Sequence, residues 1–228
     1  NIYVDLQRRR IDYIFEGLDS EGNSAEQEVN LAFFNPKFGF YHTLNDNQSL
    51  YASFGVANKE PNRSDYTEST PESRPTHETL YDTEIGYKQI GNKMIFGANL
   101  YFMNYKNQLI MTGKLNDVGE RTHVNVAESF RKGIEIEGMY KLTKKLNWAA
   151  NMTLSENKIA SAFIEHVDNW DTGGVNELSH ENTDLAFSPN VIWASQLNYK
   201  LGDNISIDFI SKYIGKQFID NTSSENRL

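Results

Sequence analysis

The sequence predicts an all-β protein: an antiparallel up-and-down transmembrane β-barrel, present as a partial barrel of roughly nine strands. Three observations lead there. Apolar and polar residues alternate with the strand period of two over many segments. The connections between those segments are alternately short and long. Three tyrosines and one tryptophan sit beside short connections, all four on the apolar parity.

The segments fall near residues 2–16, 31–43, 48–58, 77–89, 93–110, 128–142, 146–160, 189–200 and 205–218. The clearest puts Met94, Phe96, Ala98, Leu100 and Phe102 on one face and Ile95, Gly97, Asn99 and Tyr101 on the other. From Arg131 to Leu142, Ile134, Ile136, Tyr140 and Leu142 share a face opposite Glu135 and Glu137. Short connections lie at Leu44–Asn47, Gly91–Asn92, Thr143–Lys145 and Gly202–Asn204. They are built from residues that accept tight turns, Gly and Asn through positive φ and Asp through bonds to the backbone. Long polar connections are expected at Gly17–Glu28, Lys59–Thr76, Gly113–Glu128 and Ser161–Phe187. A meander in a bilayer segregates short turns and long loops to opposite rims, and a soluble sandwich has no reason to. The segments also exceed the usual ~5–6 residues of globular strands.

Composition bounds the function without choosing the fold. The 228 residues carry a net charge of −9 and no cysteine. That excludes a disulfide framework and thiolate chemistry, and argues against nucleic-acid binding, which leaves a basic footprint. Mean hydropathy is −0.60, and no run approaches the ~18 apolar residues of a membrane helix. A barrel strand crosses with only ~9–11 residues, half of them facing lipid, so low hydropathy is neutral.

Parity assigns the two faces. Tyr87, Tyr140 and Tyr199 precede short turns and Trp148 follows one, all on the apolar parity. That is the placement of an interfacial girdle facing lipid, with Phe102 and Tyr213 near the far rim. The opposite parity is expected to line the lumen, with Asp82, Glu84, Asn99, Glu135 and Glu137 foremost among Asp5, Gln7, Arg9, Lys37, Asn151 and Asp208. Gly39, Gly55, Gly86, Gly97 and Gly133 share that parity, where they either bend the wall or admit a second backbone. Arg8-Arg9-Arg10 must put two charges on one face. A lipid-facing pair is costly at mid-depth, which places them near the outer rim, open to lipopolysaccharide phosphates or to the lumen.

A succession of short motifs resembles the barrel of TonB-dependent outer-membrane receptors. It begins with Asn35-Pro36-Lys37-Phe38-Gly39-Phe40, Ser49-Leu50-Tyr51-Ala52-Ser53-Phe54-Gly55 and Lys59-Glu60-Pro61-Asn62-Arg63-Ser64-Asp65-Tyr66. It continues with Tyr81-Asp82-Thr83-Glu84-Ile85-Gly86-Tyr87, Arg131-Lys132-Gly133-Ile134-Glu135-Ile136-Glu137 and Tyr213-Ile214-Gly215-Lys216-Gln217-Phe218. Together they cover about residues 31–220, in the order of the later half of such a barrel. The resemblance implies a bacterial outer-membrane receptor, not an enzyme and without a cofactor. It would bind a scarce nutrient as a small-molecule metal chelate or similar, of the ferric siderophore, haem or cobalamin type. Its partners would be outer-membrane lipid and the TonB energy-coupling complex, reached through a plug domain. Neither the plug nor a final aromatic-ended strand is recognisable, so residues 1–228 are expected to be one partial barrel domain of a family barrel of ~22 strands.

Ligand contacts are expected in the outer loops. Arg63 and Arg74 present planar donor forks that suit anions, and Arg63 equally suits a structural role within its motif. Glu165, His166, Asp168 and Asp171 cluster in one loop, as a ligand contact or a solvated polar stretch. Trp170 there would stack on a flat ligand or pack the loop on itself. His42, His77, His123, His166 and His180 are scattered without metal-ligand spacing. A passive porin-like channel and a soluble β-rich binding or adhesin domain are the competing readings.

Overall fold

A computed structural model describes residues 1–17, 26–67, 74–115, 121–169, 171–202 and 204–226. Strands β1 (Ile2–Phe15), β2 (Gln27–Asn45), β3 (Gln48–Lys59), β4 (Glu78–Ile90), β5 (Met94–Leu115), β6 (Arg121–Lys141) and β7 (Leu146–Ile159) pair antiparallel in chain order. A hairpin of β8 (Phe163–Asn169) and β9 (Gly174–His180) follows, then the two-residue β10 (Thr183–Asp184). The meander resumes as β11 (Val191–Lys200) against β7 and ends with β12 (Ser206–Ile214) against β11. The result is one twisted antiparallel wall, a partial up-and-down barrel of nine long strands in sequence order.

The short connections all lie at one rim, and local chemistry closes each. Asn45 Oδ1 accepts from the Asn47 amide at 3.0 Å between β2 and β3. The Gly91 amide donates to the Met94 carbonyl at 2.7 Å between β4 and β5. Thr143 Oγ1 accepts from the Lys145 and Leu146 amides at 3.1 and 3.0 Å between β6 and β7. Such side-chain acceptors stand in for backbone partners that a tight turn lacks.

The opposite rim differs from the sequence expectation in three places. The expected loop at Gly113–Glu128 is largely strand, because β5 and β6 run on to Leu115 and Arg121. The apolar residues Ile110, Val124 and Val126 drive this extension. Ile110 and Val126 are buried with Ile159, Phe163 and Leu185, and Val124 packs against them. The expected loop at Ser161–Phe187 holds β8, β9 and β10, and Phe163 and Leu185 are what it contributes to that cluster. The expected loop at Lys59–Thr76 carries a five-residue helix, α1 (Arg63–Thr67). After β12 the chain folds back beneath the β7–β11 connection. Buried Asn221 accepts from the Ala186 amide at 2.9 Å and donates to the Met111 carbonyl at 3.0 Å.

Register makes the wall two-faced, because residues directly opposed on neighbouring strands share a side. One row runs Tyr87, Ala98, Ile136, Met152, Trp193, Tyr213, and the next Ile85, Leu100, Ile134, Leu154, Val191. On the reverse, Gly86, Asn99, Glu135 and Thr153 form one row and Lys88, Gly97, Glu137 and Asn151 another. Among the described residues no second sheet covers the apolar face: Leu100, Ile85 and Phe209 are 55%, 53% and 67% exposed.

The five glycines of the polar face share one device. Each sits opposite a residue whose side chain lies over it: Tyr3 over Gly39, Lys37 over Gly55, Tyr51 over Gly86, Glu137 over Gly97 and Tyr101 over Gly133. A Cβ at Gly86 would fall 2.0 Å from the Tyr51 ring. At Gly133 it would fall 2.5 Å from the Leu154 carbonyl oxygen and 2.7 Å from the Tyr101 hydroxyl. The glycines thus let bulky side chains lie flat along the wall.

Gly133→Ala is expected to cost ~1–3 kcal/mol through overpacking against backbone, and Gly39→Ala, whose Cβ meets only ordinary contacts at 3.6 Å, close to nothing. The heat-dependent band shift of the full-length protein on detergent gels reads both. Equal unfolding temperatures for the two variants would contradict the packing described.

Candidate functional site at the long-loop rim

The β3–β4 connection is built as a strap. Its first anchor is Glu60, which accepts from Arg9 on β1 at 2.5 Å and from the Tyr13 hydroxyl at 2.9 Å. The strap then turns into α1, where Asn62 is the N-cap. The Asp65 amide donates to the Asn62 carbonyl at 3.1 Å, and Asp65 Oδ2 accepts from the Asn62 amide at 2.8 Å. Asp65 thus supplies the half of a capping box in which the third helical residue reaches back to the N-cap amide. The other Asp65 oxygen meets His123 Nδ1 on β6 at 2.8 Å, and the Asp65 side chain is 4% exposed. Beyond α1, Asn125 on β6 brackets the strap by accepting from the Thr76 amide at 2.7 Å and donating to its carbonyl at 2.9 Å. The strap therefore reaches from β1 to β6 across the rim.

Between the strap and β1 lies a cleft of about 660 Å³ lined by Tyr13, Phe15, Pro61, Arg63 and Tyr66 among others. Phe15 and Tyr66 stack obliquely at 5.4 Å, and Tyr13 and Phe15 at 5.9 Å. Tyr66 is 3% exposed, and Gln27 donates to its carbonyl at 3.0 Å. Burial, reinforced by Glu60, holds the Tyr66 phenol above its ordinary pKa, so it remains neutral. The cleft offers aromatic walls with the Arg63 guanidinium and the Glu16 carboxylate on its lining, a combination suited to a flat guest with polar edges.

The structure separates the loop residues singled out in the sequence. Arg63 lies at this cleft. Arg74 is exposed, just before the bracketed Thr76. His166 and Asp168 belong to β8, whose hairpin packs on β5, and Asp171 sits in the hairpin turn, where its amide donates to Asn169 at 3.1 Å. Trp170 lies outside the described residues. Glu165, on the buried side of β8, pairs with His180 at 2.9 Å. Among the described residues no three His, Asp or Glu side chains converge as a metal cage.

The remaining residues fall on the two faces of the wall. Tyr140 and Trp148 oppose each other across β6 and β7, Trp148 also opposes Leu197, and Tyr199 opposes Leu146. With Tyr87, all lie within a few residues of the short turns on the apolar face, and Phe102 and Tyr213 lie farther along it. Glu84 accepts from Asn99 at 3.3 Å on the polar face, and Asn99 stands opposite Glu135. Asp82 Oδ1 and Asn99 Oδ1 are buried in the wall without a partner among the described residues. Sequence reasoning passed over Glu60, Asp65 and His123. The Asn62-to-Asp65 spacing carried the signal of a cap, whereas nothing local marks His123 as its partner.

Asp65→Ala is expected to release the strap from both α1 and β6. Limited proteolysis of the full-length protein should then nick the 60–77 segment several-fold faster, with the wall itself still resistant; an unchanged rate would remove the strap from the description.

A comparison with curated proteins finds no match. Solved structures of similar fold include the siderophore receptor PiuA from Acinetobacter baumannii, at 16% identity and a TM-score of 0.72, covering 97% of this chain and 32% of that one. The copper transporter OprC has 17% identity, a TM-score of 0.68 and coverage of 92% and 32%. The FrpB iron transporter from Neisseria meningitidis (F3-3 variant) has 18% identity, a TM-score of 0.64 and coverage of 95% and 31%. The chain spans about a third of the length of these structures, and at such identities the likeness is one of fold. The family model for the TonB dependent receptor-like β-barrel matches residues 12–224, nearly the whole chain, and the chain belongs to that family.

Proposed function

We propose that this chain is part of the wall of an outer-membrane receptor that binds a scarce nutrient and imports it with energy coupled through TonB. The observation that carries the reading is the two-faced, single-layer wall with its loops segregated by rim. An uncovered apolar face many strands wide is untenable in water, and patches beyond a few hundred Å² mark an interaction surface. A bilayer is the partner that fits, since antiparallel strands there pair every backbone group and turn every second side chain to lipid. On this reading Tyr87, Tyr140, Trp148 and Tyr199 form the girdle beside the short turns, and Phe102 and Tyr213 approach the opposite interface. No helix among the described residues is long and apolar enough to cross a membrane, which says nothing against crossing by strands.

The polar face then lines the lumen. Glu84, Glu135 and Glu137 give its middle rows an acidic character, and Asp82 and Asn99 carry the unpartnered oxygens. We take this stretch as the seat of a plug domain with donors and cations to offer. The rim cleft at Arg63 is the first ligand site to test, with Arg74, His166, Asp168, Trp170 and Asp171 as contacts from neighbouring loops. Iron transport, siderophore reception and copper transport are named for the similar structures. They favour a metal-linked cargo, with ferric siderophores ahead of haem or cobalamin. The capture and release of such a cargo makes or breaks no bond in it, which fits a receptor rather than an enzyme.

Deleting the gene should abolish growth on one class of ferric chelate when iron is scarce and leave growth on free iron intact. Restoring the gene as Arg63→Ala should weaken uptake of that chelate about tenfold, the scale of one lost charge-assisted contact. Undiminished growth of the deletion strain on ferric chelates, haem and cobalamin alike would contradict the proposal.

A further inference from the structure

We infer that Phe187 is a specificity-determining contact for the cargo, a ring held out at the long-loop rim to stack on a flat π-system in the bound chelate. The inference rests on the receptor reading above and names a chemical class within it.

The backbone supplies the first observation. Phe187 has a φ of 53°, in the left-handed region that glycine and asparagine enter easily and a bulky side chain does not. The other described non-glycine residues with positive φ are Asn107, Asn182 and Ser223. All three carry short polar side chains, so Phe187 is the bulky exception.

The neighbours of Phe187 force that conformation. Leu185 is buried, and its amide donates to the Asn157 carbonyl at 3.0 Å. The Ala186 amide is held by Asn221, and the Phe187 amide donates to the Phe218 carbonyl at 2.9 Å. Ser188 Oγ accepts from Arg131 at 2.9 Å and donates to the Ala186 carbonyl at 3.0 Å. Ser155 closes the stretch. Its hydroxyl donates to the Pro189 carbonyl at 3.3 Å and its amide to the Asn190 carbonyl at 2.8 Å. A strained residue persists where its surroundings over-determine it, and such residues gather at ligand clamps.

Burial supplies the second observation. From Thr183 to Pro189 every residue is buried or half-buried except Phe187, which is 59% exposed. No other ring among the described residues stacks on it. The chain therefore carries backbone strain for a side chain that returns little packing. Glycine would relieve the strain and forfeit little within the described fold. The ring serves a contact outside it. Arg131 shares the polar face with Gly133 and Glu135, and its bond to Ser188 sets this stretch on the polar side of the wall, away from the apolar face. A phenyl ring has no polar handle, so what it distinguishes is a π-face, as in an aryl chelate or a porphyrin.

The test uses the full-length receptor in detergent with a ferric tricatecholate, haem, a ferric trihydroxamate and cobalamin as probes, and quenching of tryptophan fluorescence as the readout of affinity. Wild type should bind the tricatecholate or haem. Phe187→Leu keeps an apolar side chain and loses the ring. It should weaken that binding several-fold, up to about tenfold, and Phe187→Tyr should preserve it. Phe187→Gly should weaken it too, yet unfold at a temperature no lower than wild type in the heat-dependent band shift. A lower unfolding temperature for Phe187→Gly would make the ring a packing anchor and overturn the inference. Undiminished affinity in Phe187→Leu or Phe187→Gly, an equal loss in Phe187→Tyr, or a wild type that binds only the trihydroxamate or cobalamin would overturn it as well. A wild type that binds none of the four probes would overturn the receptor reading itself, a result distinct from binding that is indifferent to the ring.

Discussion

A wall one sheet thick has almost no interior. What holds it is the cross-strand ladder, in which each backbone amide and carbonyl finds its partner on the neighbouring strand. Because the side-chain period is two, one register decides the environment of every residue: a slip of a single position would exchange the two faces completely. Eight neighbouring pairings of the long strands here agree on one partition, from Ile2 opposite Phe40 on the first pair to Trp193 opposite Tyr213 on the last. Among the described residues, the buried apolar side chains are few: the cluster of Ile110, Val126, Ile159, Phe163 and Leu185 at the long-loop rim, with Phe33 and Tyr66 outside it. At that rim the strands outrun the apolar band, and the chain needs a core of the ordinary kind.

The glycine positions follow from the same constraint. A curved wall crowds side chains on its concave side. Glycine opposite tyrosine or glutamate relieves the crowding, since the larger side chain lies across its partner instead of projecting from the wall. Tyr51 over Gly86 stands in the row that carries Asn99 and Glu135, and Tyr101 over Gly133 in the row beside it. The sequence left two readings of these glycines, strand curvature or close approach of another backbone. The side chains lying over all five favour accommodation within the wall, with the carboxylates left to meet whatever fills the space.

Periodicity made most of the wall legible. Nine alternating segments and four tight turns placed the long strands to within a few residues except at the long-loop ends of β5 and β6, because a half-exposed strand writes its two environments directly into its sequence. Two kinds of feature escaped. The β8–β9 hairpin alternates weakly, since Glu165 is buried by pairing with His180, and a buried polar residue breaks the apolar code. The strap over β1 and β6 depends on Glu60 meeting Arg9 and Asp65 meeting His123, contacts 51 and 58 residues apart in the chain. No local pattern encodes a pairing of that span. Of the loop residues chosen on composition, Arg63 lines the rim cleft while His166 and Asp168 sit on β8, because composition carries no information about which side chains meet.

The central claim is that the two faces of this wall meet different media. Spin labels placed singly at Phe96 and Ile136 on one face, and at Glu135 on the other, in the full-length receptor reconstituted in lipid, test it directly. Labels at Phe96 and Ile136 should be reached by oxygen and shielded from a water-soluble nickel chelate, and the label at Glu135 should not share that signature. Labels at Phe96 and Ile136 that are closed to oxygen, as in a protein core, or open to the nickel chelate, would contradict a membrane-spanning wall.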